Sequence, residues 1–356
     1  MLTRPALFGI TNSNRDYTKR ETWGKNQFNS SFPAALGCYM HSKNIDAVYL
    51  TLEKNLKVKH SFISVEELYG VNPLGKSTFY SFETEHSPYL TLVNGNLPRI
   101  DLVTCIARDD NVDCVRGLEI KLTALPDEQT FDLPEAKYSC EIVVRPDTII
   151  YLALSIAKRH RKSVAKLKDL LFPSCKKIKD WTSHVGMIEH LSGIYECIDK
   201  LCSNSVDEQE PLMVQPVWKT NGKSAVLSDN CLDMFVWSDL AFTRLFVDVA
   251  KRNGREKITR HVRSAIWLVK MLYDFCTDKK IDHKLVTDLL TYDTRNDKAF
   301  SDGGQVTHPY LKSDQLLKPR IKKSEIKNII LGGGEKMLSP ERRFDAAILS
   351  TPDIFN

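Results

Sequence analysis

Long apolar runs are missing from this 356-residue sequence. The best of them, Thr148 to Ala157, is broken by Tyr151 and Ser155 and falls well short of the roughly 18–20 residues a helix needs to cross a bilayer. No membrane span is expected. The first residues, Met1 to Thr11, carry one Arg and a short apolar stretch interrupted by Gly9 and Thr11, with no small-residue cleavage site, so no secretory leader and a cytoplasmic location are expected. Glycine and proline are sparse, at 16 and 15, which excludes collagen-like and low-complexity chains. Nine cysteines form no CxxC pair and are odd in number, so they are expected as reduced packing residues, neither a disulfide framework nor a zinc site.

The residues that are present make ordinary globular material: 42% hydrophobic and 27% charged, in a chain long enough for one large unit or two. The first 145 residues mix one helix with short strand patterns, and most of the chain from there to about residue 300 reads as helical. A first helix is expected over 21–42, with Thr18-Lys19-Arg20-Glu21 resembling a capping box and Pro33 interrupting it. Strands are expected at 46–53, 99–107, 114–123, 138–144 and 212–218. A long helix opens at Pro146-Asp147 and ends at Phe172 before Pro173, with further helices at about 184–202, 229–252, 256–277 and 281–292. Residues 301–316 read as a polar loop, 328–331 as a strand, 332–334 as a glycine turn, and Ser339-Pro340 as the start of a terminal helix. The fold class is mixed α/β.

The net charge of +5 hides a strong asymmetry. Segment 156–180 holds nine basic and two acidic residues, 251–263 six and one, and 312–327 six and two, so these three carry +16 and the other 302 residues carry −11. Concentrated positive charge on an otherwise acidic chain suits a polyanion, because each Lys or Arg on a phosphate releases condensed counterions; any one segment could equally be a solvated helix face.

Two motifs compete for the chemistry. Gly70-Val71-Asn72-Pro73-Leu74-Gly75-Lys76-Ser77 fits the phosphate-loop pattern letter for letter. A working phosphate loop needs a buried strand before it and a helix after it, because the helix N-terminus supplies the field that holds phosphate. Here Val65 to Tyr69 looks helical and Thr78 to Phe82 looks β-prone, so an accidental match or structural turn is expected.

The second constellation is Asp101 with Glu119-Ile120-Lys121. A hairpin turn centred on Asp110 would pair positions whose numbers sum to 220, which opposes Asp101 and Glu119 directly. Opposed side chains lie about 4.5–5.5 Å apart at Cβ, close enough for two carboxylates to share a divalent ion. Alternation puts Leu118, Ile120 and Leu122 on one face and Glu119 and Lys121 on the other, so the amine stands beside the carboxylates. That set suits metal-assisted phosphodiester cleavage. The competing reading is an amphipathic strand whose Glu and Lys face water.

With these residues in place, three blocks carry a resemblance: Phe8 to Asp16, Trp23 to Pro33, and Gly117 to Asp127. The sequence resembles type II restriction endonucleases of the HindVP/HgiDI kind. The resemblance implies a PD-(D/E)xK nuclease core (αβββαβ) with a large helical addition, placed at 1–220 for the core and 221–356 for a DNA-binding and dimerisation region, or as one compact unit. It implies a homodimer that cuts double-stranded DNA with Mg²⁺ at GRCGYC, leaving 5′-phosphates, in a prokaryote whose partner methyltransferase protects the host. Carried over, the acids are Asp101 and Glu119, the lysine is Lys121, and the Ile120 carbonyl is a further metal ligand. Pro98 lies three residues before Asp101 instead of adjoining it, which leaves Asp109, Asp110 and Asp113 as substitutes. Glu21 is the candidate extra acid, against its capping role.

Base reading calls for Arg, Lys, Asn or Gln at a groove. Candidates are Asn26, Gln27 and Asn29, the loop residues Gln305 and His308, and Arg252, Arg255, Arg260 and Arg263, each of which could serve instead as a phosphate contact or surface residue. Three other functions stay open: a PD-(D/E)xK repair or structure-specific nuclease, a nucleotide-dependent enzyme using Lys76 and Ser77, and a non-catalytic DNA-binding protein.

Overall fold

The computed structural model describes residues 31–52, 58–109, 111–120, 123–125, 142–144, 146–204, 211–221, 224–226, 232–252, 260–283 and 300–302. Helix α1 (Ser31–Ser42) leads to strands β1 (Ala47–Leu52) and β2 (Val58–Ile63), short helix α2 (Val65–Tyr69) and strand β3 (Thr78–Thr84). A 3-10 turn at Ser87–Leu92 precedes β4 (Ile100–Arg108), β5 (Asn111–Ile120), β6 (Thr123–Leu125) and β7 (Ile142–Val144). Helices α3 (Pro146–His160), α4 (Val164–Cys175), α5 (His184–Met187) and α6 (Leu191–Asn204) come next. The chain continues through β8 (Pro211–Asn221), β9 (Ser224–Val226), β10 (Leu232–Ser238), α7 (Asp239–Arg252), α8 (Arg260–Asp278) and β11 (Phe300–Asp302).

The main sheet runs β2-β1-β10-β8-β5-β4-β3, with β6 and β9 both paired to β8. Strands β3, β4 and β5 form an antiparallel meander; β8 then pairs parallel to β5 after the excursion through α3 to α6. Beyond β8, β10 is antiparallel to it and parallel to β1. Apolar side chains alternate across the sheet and feed two cores. On one face Leu102, Leu118, Ile120, Met234 and Val236 pack with Leu36 and Met40 of α1 and Leu68 and Tyr69 of α2. On the other, Val103, Cys105, Val48 and Trp237 pack beneath α3, α7 and α8. The result is a mixed sheet between helical layers, which needs strands apolar on both faces.

Several expectations change. The strand read at 46–53 is β1, and it pairs with β10 and β2, far from β4; the neighbour of β4 is β3. Local pattern identifies strands but does not set their order, which comes from long-range pairing. The helix read over 229–252 begins as a strand, because both faces of β10 are buried and a short apolar run of that kind lacks a period of its own. The helix starts where the Ser238 hydroxyl accepts from the Ala241 amide at 3.1 Å, an N-cap. The helix read over 146–172 is two, broken at 161–163, and Pro173 does not stop the second: the Lys176 amide still reaches the Phe172 carbonyl at 3.1 Å. Residues 301 and 302, read as loop, belong to β11, which pairs with β7. The Ile281 backbone bridges to Val93. Residues 284–292, the strand at 328–331, the glycine turn and the terminal helix lie outside the described residues, as do 21–30.

Among the described residues, the cysteines are free thiols, all buried except the half-buried Cys114. No described helix is long and apolar enough to cross a membrane.

Candidate active site

The β4–β5 hairpin is built in two registers. Near its tip Arg108 pairs with Asn111 and Cys105 with Cys114, and Asp109 takes a φ of 47°. That closure is one residue tighter than a turn centred on Asp110, so the tip expectation is corrected. Between Thr104 and Cys105 the register shifts; Val115 is the extra residue, and from there Thr104 pairs with Arg116 and Leu102 with Leu118. The bulge restores the expected sum of 220 at the working end. Asp101 and Glu119 therefore occupy the next opposed positions, on the face opposite Leu102, Leu118 and Ile120.

Asp101 is half-buried and its Oδ2 accepts the Ile120 amide at 2.8 Å. Glu119 does not project into water; it is only 6% exposed. Helix α3 covers the same face. Its Tyr151 hydroxyl donates to the Pro98 carbonyl at 2.5 Å, three residues before Asp101. Burial pushes the Tyr151 phenol well above its ordinary value; donation from the His86 amide opposes this, while the charges of Glu119, Glu85 and Asp147 add to it. The site is thus rich in carboxylates around a phenol that stays protonated.

His86 lies against the hairpin two pairs along: a Cβ on Gly117, the partner of Val103, would come within 3.2 Å of its ring. A side chain there would push the imidazole and Ile100 by a few tenths of an ångström, so glycine suits this close approach. Burial, then the charges of Lys158 and Arg116, lowers the His86 imidazole to about 4, so it is neutral near pH 7. Its ring meets Tyr89 edge-on at 4.8 Å, and Lys158 Nζ sits 5.4 Å from the Tyr89 centroid.

Of the residues named from sequence, the fold brings together Asp101, Glu119 and Ile120. Lys121, Glu21, Asn26, Gln27, Asn29, Arg255, Gln305 and His308 lie outside the described residues. Arg252 ends α7, Arg260 opens α8, and the half-buried Arg263 stands in its first turn. The opposite end of α8 approaches the segment before Asp101, where the Ile281 amide donates to the Leu92 carbonyl, so Arg260 stands at the far end of a helix roughly 27 Å long. Sequence reading missed Glu85, His86 and Tyr151. Tyr151 had a signal: with Ser155 it is the polar break in an apolar run, and with Arg159 the three repeat at helical spacing. Each has a hydrogen-bonding partner, the last two at Asp239.

The phosphate-loop match has the wrong surroundings, as expected. It comes after helix α2, whose C-cap Gly70 has a φ of 69°, and it runs into strand β3. The Asn72 side chain accepts from the Leu74 amide at 2.9 Å, which makes this a structural turn.

Two opposed carboxylates on one face suit Mg²⁺, an ion ordinarily held by one or two carboxylates with water and phosphate oxygens completing the octahedron. Among the described residues no group of three or more His, Cys, Asp or Glu is close enough to hold a metal alone.

Comparison with known proteins defines the class. The model of the HindVP restriction endonuclease family matches residues 23–355. The chain is 46% identical over 354 residues to the type II restriction enzyme HgiDI of Herpetosiphon aurantiacus, covering 99% of this chain and 98% of that one. It is 44% identical over 356 residues to the probable type II restriction enzyme HindVP of Haemophilus influenzae, covering 100% and 96%. No solved structure matches the chain. The chain belongs to the HindVP restriction endonuclease family, whose named members are type II, site-specific endonucleases. Enzymes of this class act on double-stranded DNA and generally need a divalent metal ion.

Proposed function

We propose that the protein is a cytoplasmic, Mg²⁺-dependent restriction endonuclease with a PD-(D/E)xK core, cutting both strands at GRCGYC as a homodimer beside a protecting methyltransferase. What supports this is the Leu102–Leu118 register, which continued by one pair opposes Asp101 and Glu119 on the face covered by α3, together with the Ile120 amide bonded to Asp101 Oδ2. The strand order supports the core assignment: three antiparallel strands, a helical excursion and a fourth strand parallel to the third. The recognition sequence comes from resemblance alone.

Asp101 and Glu119, with the Ile120 carbonyl, are the residues to hold the ion, which when bound offsets charge on the pentacovalent phosphate and acidifies a water. Lys121 orients the attacking water for in-line displacement, giving 5′-phosphate and 3′-hydroxyl ends. Tyr151 fixes the Pro98 carbonyl and so the start of β4. The neutral His86 fills the floor beside Gly117 without adding a second cation next to Lys158. Glu21 remains the proposed extra acid, and the amide and arginine candidates remain the proposed DNA contacts. The test is incubation of purified protein with a mapped plasmid and Mg²⁺, with sequencing of the fragment ends. Discrete fragments ending within GRCGYC are expected; intact plasmid at every Mg²⁺ concentration overturns the reading, and fragments at other sites overturn the site assignment.

A further inference from the structure

Helix α3 starts at Pro146, carries Tyr151, which feels the Glu119 charge, in its second turn, and ends at His160, roughly 20 Å along its axis. The chain there turns through Arg161 and Lys162 into α4. Arg161, Lys162, Lys166 and Lys168 are all exposed, and none of them is paired with a carboxylate among the described residues. Helix-end electrostatics do not explain all of them. Basic residues in the last turn of α3 suit a helix C-terminus, but Lys166 and Lys168 lie near the N-terminal end of α4, where cations oppose the helix dipole and the first turn has no acid. Lys168 and Lys176 further crowd onto one ring, with their Nζ atoms 4.8 and 5.3 Å from the Phe172 centroid. Like charges gathered with Asp169 as the one acid of α4, on a chain otherwise net acidic, are set up for an external polyanion.

We propose that the α3–α4 junction is a second DNA contact, gripping the phosphate backbone of duplex flanking the cleavage site. It rests on the reading of the protein as a DNA endonuclease. Twenty ångströms corresponds to about six base pairs, so a duplex that barely exceeds the recognition sequence is too short to reach it. The surface adds affinity and salt sensitivity without reading sequence.

The experiment compares wild type, the triple variant Arg161→Gln, Lys162→Gln, Lys166→Gln, and a charge-matched control, Lys43→Gln, Lys59→Gln, Lys280→Gln, all at exposed positions. Binding without Mg²⁺ is measured on duplexes of about 8 and about 40 base pairs across a salt series. Wild type and control are expected to bind the long duplex at least about tenfold more tightly; the triple variant is expected to lose most of that ratio and about 2 to 3 from the long-duplex salt slope. If triple variant and control behave alike, the surface is overturned while the endonuclease stands. If wild type binds neither duplex, the DNA reading itself fails and takes the surface with it.

Discussion

The carboxylate of Asp101 accepts the Ile120 backbone amide at 2.8 Å, so the first acid is tied across the hairpin to the residue beside the second. Asp101→Asn can keep that hydrogen bond through its amide oxygen while removing the charge. Single-turnover cleavage is expected to fall about 10³-fold or more, with DNA affinity retained. Cleavage within about tenfold of wild type would move the first acid elsewhere.

Tyr151→Phe removes one hydroxyl and leaves the Pro98 carbonyl without its 2.5 Å donor. A stability loss of about 1–2 kcal/mol is expected from denaturant titration, with slower cleavage because β4 is less firmly placed. An unchanged midpoint and rate would show that the contact is idle.

His86 couples stability to acidity. Its folded value is lowered from 6.5 to about 4, so the unfolded chain takes up the proton first. Stability from this group is full above pH 6.5 and is lost as pH falls toward about 4, by up to about 3 kcal/mol. Melting curves across that window should show the loss in wild type and much less of it in His86→Asn; equal slopes in the two would remove His86 as the cause.

Asp239, fully buried, takes both guanidinium nitrogens of Arg159 at 3.0 and 2.5 Å and the Ser155 hydroxyl at 2.6 Å, joining α3 to α7. Asp239→Ala strands a buried cation and should cost about 3–5 kcal/mol, whereas Asp239→Leu with Arg159→Met should recover most of it. Urea midpoints decide; a mild single variant or a severe double one contradicts the account.

The hairpin was legible because alternation and a turn are local signals, and even its mistaken tip did no harm: the tighter closure at Arg108–Asn111 is compensated by the bulge at Val115. The phosphate-loop match could be judged from its flanks for the same reason. Strand order was not legible, since the pairing of β1 with β10 joins residues nearly 190 positions apart. Nor was the role of β10, whose two buried faces erase the period that identifies a strand. Glu85 and His86 carried no sequence signal; Gly117 and the approach of α3 create their setting.

Glu119→Gln is the most direct test. The amide preserves size and hydrogen bonding at this buried position but cannot hold a divalent cation as a carboxylate does. Wild type and variant, matched for DNA affinity, are monitored on a single-site plasmid across a Mg²⁺ series. The account predicts a saturable, Mg²⁺-dependent rate for wild type and almost none for Glu119→Gln; a variant that linearises the plasmid at the wild-type rate contradicts it.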